Sequence, residues 1–121
     1  MDLGMTVPIQ DAIVVLTATD SEGEAVRIGK MLVQERLAAC VNIVPNVRSL
    51  YAWRDKFCDQ REWILLVKTR RSLFDRLKTR ILELHTYEVP EVVSLSVLDG
   101  HDAYLQWIFD STASVPTEEK E

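Results

Sequence analysis

Residues 41–69, VNIVPNVRSLYAWRDKFCDQREWILLVKT, decide how this chain folds. Two runs rich in apolar, aromatic and β-branched residues flank a polar knot at residues 54–60, the pattern of a β-hairpin. Alternation sets Val47, Ser49, Tyr51 and Trp53 on one face of the first arm, with Arg48, Leu50, Ala52 and Arg54 on the other. In the second arm Trp63, Leu65 and Val67 oppose Glu62, Ile64, Leu66 and Lys68. Each arm is about ten residues, beyond the usual five or six. Such a hairpin outruns the sheet of a 121-residue domain. It carries Trp53 and Trp63, two of the 3 tryptophans, and large amphipathic aromatics are enriched where proteins meet. The arm therefore reads as an oligomer-building element. Pro45 cannot donate a ladder hydrogen bond and marks a bulge, bend or edge.

Outward from the hairpin the elements alternate. Residues 12–18, AIVVLTA, form a continuous apolar run and hence a buried strand. Ser21 and Glu24 fit a capping box opening a helix over residues 22–37, whose stripe is Ala25, Ile28, Gly29, Leu32 and Val33. Gly29 weakens that helix and implies close packing on the sheet. Ser72 with Asp75 starts a second helix, ended near Thr86 by Pro90. Residues 92–98 read as the last strand. A short helix over 102–109 follows, with Tyr104, Leu105 and Ile108 inward. This order is an α+β, ferredoxin-like βαββαβ plait with a long hairpin between its second and third strands and a C-terminal helix. Two helices cover one sheet face, and the apolar residues of the other want a partner, which a closed cyclic oligomer supplies. Residues 12–110 form the single domain, with flexible ends at 1–11 and 111–121.

Composition sets limits. The chain is 47% hydrophobic and 27% charged, with a formal net charge of −5. That balance excludes a basic nucleic-acid footprint. No apolar run reaches the roughly 18 residues of a membrane span. Residues 1–11 lack a basic segment leading into an apolar one, so no secretory signal is expected. Cys40 and Cys58 sit in different settings, Cys58 in the hairpin turn, and suggest no disulfide framework, which points to a reducing cytoplasm.

Chemistry-bearing residues are sparse. There is no GxSxG, P-loop or GxGxxG pattern, and no CxxC or HxxxH metal spacing, so an enzyme is not expected. His85, at a helix end three residues before Glu88, is either a ligand or a histidine bonded to backbone. Cys40 is either a thiolate ligand or a small buried hydrophobe. His101 reads as a first-turn residue or cap. Glu62, Glu88 and Glu91 with Lys68 and Tyr51 either line a cleft or, for Glu62 and Lys68, form a surface ion-pair ladder. The loop 87–91, YEVPE, is either a fixed turn or the rim of an intersubunit cleft.

Several segments in series, LAACVNIVP at 37–45, SLYAW at 49–53, LVKT at 66–69, HTYEVPE at 85–91 and YLQWI at 104–108, resemble the CutA divalent-cation tolerance proteins over residues 12–109. The resemblance implies a ferredoxin-like subunit and a PII-like homotrimer joined through the long hairpins, with Tyr51, Trp53 and Trp63 in the interface. It also implies binding of copper or other divalent metal ions in metal homeostasis. The family's copper site is associated with a cysteine at the end of the first strand and histidines at the end of the second helix. Here Thr17 and Leu84 replace two of those, leaving His85, with Cys40 and Glu88, as the implied metal set. Asp55 stands in the hairpin turn where glycine is common, a place Asp fills because it tolerates left-handed geometry. An alternative is a PII-like signalling module holding a small anion or metabolite in an intersubunit cleft with Lys68, Arg48, Tyr87 and Glu91. A third is a purely structural assembly protein.

Overall fold

A computed structural model describes residues 11–113. The elements run β1 (Ala12–Thr19), α1 (Glu22–Gln34), β2 (Cys40–Trp53), β3 (Lys56–Arg70), a 3-10 turn (Arg71–Leu73), α2 (Phe74–Leu84), β4 (Val93–Ser96) and α3 (Asp102–Ser111). The sheet has order β2-β3-β1-β4, and every neighbouring pair is antiparallel. This is the ferredoxin-like plait. α1 and α2 cover the face that carries Ile13, Val15, Leu65 and Val67, and the main core lies between them with Ile28, Leu32, Leu77 and Ile81. Gly29 lies against the sheet: a Cβ there would stand 3.1 Å from Val41 Cγ1, so the costly residue in the helix is set by packing. α3 crosses one end of the opposite face, where Ala12, Ala39, Leu105, Ile108 and Phe109 form a second cluster.

The hairpin departs from its expected turn. The ladder continues to Trp53↔Lys56, so only Arg54 and Asp55 form the turn, not residues 54–60. Both have positive φ, 52° and 66°, as a type I′ turn requires, and that geometry matches the twist of the flanking strands. Cys58 is therefore a β3 residue opposite Tyr51 rather than a turn residue, and it is half-buried. At the other end of the arm, Pro45 and the left-handed Asn46 (φ 55°) form a bulge between the pairs Val44↔Ile64 and Val47↔Glu62. Two residues there face one on β3. The strand's alternation is thus reversed beyond the bulge, and Val47, Ser49, Tyr51 and Trp53 share a face with Glu62.

Other boundaries moved for local reasons. α1 ends three residues before the expected Leu37 because Arg36 turns left-handed (φ 61°). Leu37 N then donates to Leu32 O and Arg36 N to Val33 O, a Schellman cap. Ser21 Oγ accepts from Glu24 N at 3.1 Å, but Glu24 does not return the bond. Its carboxylate instead accepts from Thr86 N at 3.1 Å and Arg27 at 2.9 Å. Ser72 does not cap α2, which is entered through the 3-10 turn. β4 is shorter than residues 92–98. Tyr104 is exposed rather than inward and lies beneath the Lys68 ammonium, 5.7 Å from ring centroid to nitrogen. The flexible ends expected at 1–11 and 111–121 fall almost entirely outside the described residues.

Candidate functional site

Beyond the last rung that β1 shares with β3, Thr19↔Trp63, the hairpin continues alone. The loop after α2 folds against this projecting part. A cavity of about 580 Å³ lies between them, lined by Ala18, Ser49, Tyr51, Trp53, Glu62, Tyr87 and Glu91 among others. Tyr87 is its keystone. Its Oη donates to Glu62 Oε2 at 2.7 Å. Burial first, and then this bond to a carboxylate, pushes the Tyr87 phenol far above its ordinary range, so it stays a donor. Burial, with Cys58 and Glu62 beside it, also raises Tyr51.

His85 holds the loop. Its Nε2 lies 2.7 Å from Ala18 O, and its Nδ1 accepts from Tyr87 N at 3.1 Å. A carbonyl can only accept and an amide N–H can only donate, so these partners place the ring proton on Nε2. Both ring nitrogens are thus engaged by backbone, the non-ligand alternative weighed for this residue. The rings of His85 and Tyr87 are 4.7 Å apart between centroids, which fixes Tyr87 over the cavity. Nearby, Arg27 donates to Leu84 O, closing the C-terminus of α2, where orphan carbonyls favour a cation.

The implied metal set is not gathered by one chain. Cys40 pairs with Lys68, four rungs along β3 from the Ala18↔Ile64 pair beside His85. At about 3.3 Å per residue that is roughly 13 Å. Cys40 Sγ faces Asn42 Oδ1 at 3.8 Å. Glu88 is engaged by Arg54 of the hairpin turn at 2.7 Å. Thr17, in the place of the family's first-strand cysteine, is fully buried on the helix side of the sheet. Among the described residues no group of three or more His, Cys, Asp or Glu side chains is placed to hold a metal ion.

The cleft set divides. Tyr87 and Glu91 line the cavity. Arg48 instead makes a two-pronged pair with Asp59, at 2.9 and 2.7 Å, and Lys68 lies at the opposite end of the sheet beneath α3. Of the interface set, Tyr51 and Trp53 are cavity walls with exposed surface, whereas Trp63 packs on the main core. Glu62, which the sequence offers as either a cleft residue or an ion-pair rung, lines the cavity, and its bond to Tyr87 is the feature the sequence did not reveal. Glu62 is no rung of an ion-pair ladder with Lys68: it is only 8% exposed and bonded to Tyr87.

Comparison with known proteins agrees with this architecture. A family model described as CutA1 divalent ion tolerance protein matches residues 13–111. The divalent-cation tolerance protein CutA of Thermus thermophilus is 48% identical over 99 residues, covering 82% of this chain and 96% of that protein. The chloroplastic CutA protein of Arabidopsis thaliana is 41% identical over 107 residues, covering 88% of this chain but only 57% of that longer protein. The crystal structure of CutA1 from Oryza sativa superposes with a TM-score of 0.84 at 40% identity, covering 89% of this chain and 96% of that one. No helix among the described residues is long and apolar enough to cross a membrane. The chain belongs to the CutA1 divalent ion tolerance protein family.

Proposed function

We propose that this protein serves divalent-cation tolerance as a non-catalytic homotrimer in the cytoplasm, binding copper or another divalent ion weakly at positions completed between subunits. The observation that carries this reading is the uncovered sheet face. Val14, Leu16, Ile64 and Leu66 are only half-buried there, and Val93 and Leu95 on β4 are exposed. Beyond them the projecting hairpin exposes Leu50 and Phe57 on its other side. An apolar sheet face of this kind marks an interaction site, and a closed ring of three copies covers it without leaving edges. Since the described residues of one chain gather no group of three ligands, an ion there needs groups from neighbouring copies, and the acidic balance of −5 favours cations over anions. The carboxylates of Glu62, Glu88 and Glu91 around the cavity speak against the small-anion alternative. The two free thiols, Cys40 and Cys58, fit a reducing compartment.

The test couples assembly to ion binding. Light scattering should give a trimeric mass for the wild type and a smaller one for Leu95→Glu, which charges a half-exposed edge-strand position. Copper and zinc titration calorimetry should then show saturable binding in the trimer that is lost in the variant. A monomeric wild type, or equal ion binding in both, overturns the reading.

A further inference from the structure

The cavity has features that a divalent ion does not use. Its walls include Tyr51, Trp53 and Tyr87, and aromatic rings do not ligate hard or borderline cations. At its inner side lies Glu62, more than nine-tenths buried. The hydrogen bond from Tyr87 is the only one that reaches this carboxylate among the described residues, and it leaves Oε1 for another donor. No Lys, Arg or His among the described residues pairs with it. A buried carboxylate without a counter-charge is costly, so a site that retains one is built for a positive group. The chain already shows the chemistry at the cavity mouth. The Arg54 guanidinium lies 5.1 Å from the centroid of the Trp53 ring while it neutralises Glu88 at 2.7 Å. Glu62 has no such internal partner.

A cation held by one carboxylate and several ring faces is an organic ammonium. Glu88 is neutralised by Arg54, and among the described residues no group of three His, Cys, Asp or Glu side chains is placed to hold an ion, so Glu62, even with Glu91 on the wall, supplies too few oxygens for an inorganic divalent ion, which takes four to eight ligands. One carboxylate suffices for an ammonium, whose carbon body is solvated by aromatic faces. The volume of about 580 Å³ suits a small organic molecule rather than a single ion. We propose that this cavity binds a small organic ammonium compound, with Glu62 as the counter-ion and Tyr51, Trp53 and Tyr87 as the ring cage. This goes beyond ion tolerance and does not depend on it.

The probe is 2-phenylethylammonium, compared with 2-phenylethanol, which has the same shape and no charge, by calorimetry and tryptophan fluorescence on the assembled protein. The expected result is saturable binding of the ammonium, with the alcohol about tenfold weaker or worse. Glu62→Gln keeps an acceptor for Tyr87 and should weaken the ammonium by at least about tenfold while leaving the alcohol unchanged. Tyr51→Leu keeps apolar volume, removes a ring face, and should weaken the ammonium more than the alcohol. Equal binding of the two probes, no binding of either, or ammonium binding indifferent to Glu62→Gln overturns the proposal. So does zinc binding that depends on Glu62 where the ammonium fails, since it assigns the carboxylate to an inorganic ion. None of these outcomes alters the trimeric mass on which the tolerance reading is tested.

Discussion

The hairpin is one continuous ladder with two unlike halves. Near α1, before the bulge at Pro45 and Asn46, its β3 strand alternates fully buried Leu65, Val67 and Thr69 with half-buried residues. One face is roofed by helices and the other is open. Past the bulge no helix among the described residues lies behind the ladder. Leu50 is 59% exposed and Phe57 74%, while the side facing the 87–91 loop turns Tyr51, Trp53 and Glu62 into a cavity. Identical backbone pairing therefore serves two ends. The roofed half stabilises the subunit, and the projecting half has surface to give to ligands and other copies. Which half a residue belongs to is decided by what packs behind it, not by its β propensity.

The largest expected effect tests that division directly. Leu77 is fully buried beneath the roofed half, and Leu77→Ala should cost about 2–5 kcal/mol in urea denaturation, independent of protein concentration. Phe57→Ala on the projecting half removes little from the subunit itself. Its effect should grow as the protein is diluted, because it acts through assembly. A Phe57→Ala loss as large as that of Leu77→Ala, and insensitive to dilution, would abolish the distinction between the halves.

A smaller effect sharpens the picture inside the roofed half. Three threonines of the sheet are fully buried on that side. Thr69 Oγ1 donates to Leu37 O at 2.8 Å, and Thr19 Oγ1 reaches Ser21 O at 3.1 Å. Thr17 Oγ1 has no partner among the described residues. Thr17→Val keeps the shape and removes the orphan hydroxyl, so it should stabilise the protein by about 1–2 kcal/mol, read as a raised midpoint at unchanged slope. A destabilised variant would show that the hydroxyl is satisfied in solution.

The plait was legible because each element carried its own period: the apolar run of β1, the 3.6-residue stripe of α1, and the alternation of β3. Asp55 was legible as a left-handed residue for the same local reason. The reversal of alternation at the bulge was not. Pro45 announced a break, but whether one residue or two would be inserted depends on Asn46 turning left-handed, and that fixes which of Arg48 or Ser49 faces the cavity. The turn was read as residues 54–60 because its polar composition suggested a loop, whereas pairing along a projecting arm tolerates polar residues on both faces. Glu62 was legible as one of two alternatives, but its bond to Tyr87 was not, because Tyr87 is 25 residues away in a loop without periodicity. His85 was visible as a special residue, but only tertiary contacts reveal that backbone groups occupy both of its nitrogens.

Glu24 ties α1 to the loop that walls the cavity, accepting from Thr86 N, and it gives the smallest of the expected effects. Burial alone raises its pKa. The hydrogen bond and charge of Arg27 and the N–H of Thr86 outweigh that and leave the carboxyl below its ordinary 4.5. A carboxyl depressed in the folded state binds its proton more readily when unfolded, so stability is gained as pH rises. The contribution is complete above the ordinary value and is lost as pH falls below it through the depressed one. Glu24→Gln should therefore destabilise by about 1 kcal/mol at neutral pH, and the gap to wild type should close in acid. Because Thr86 lies one residue from each of His85 and Tyr87, the variant should also loosen the 87–91 loop, measured as faster amide exchange at Tyr87. A gap that persists unchanged in acid would mean that Glu24 acts through its shape in packing rather than through its charge, and that the loop is fixed by His85 alone.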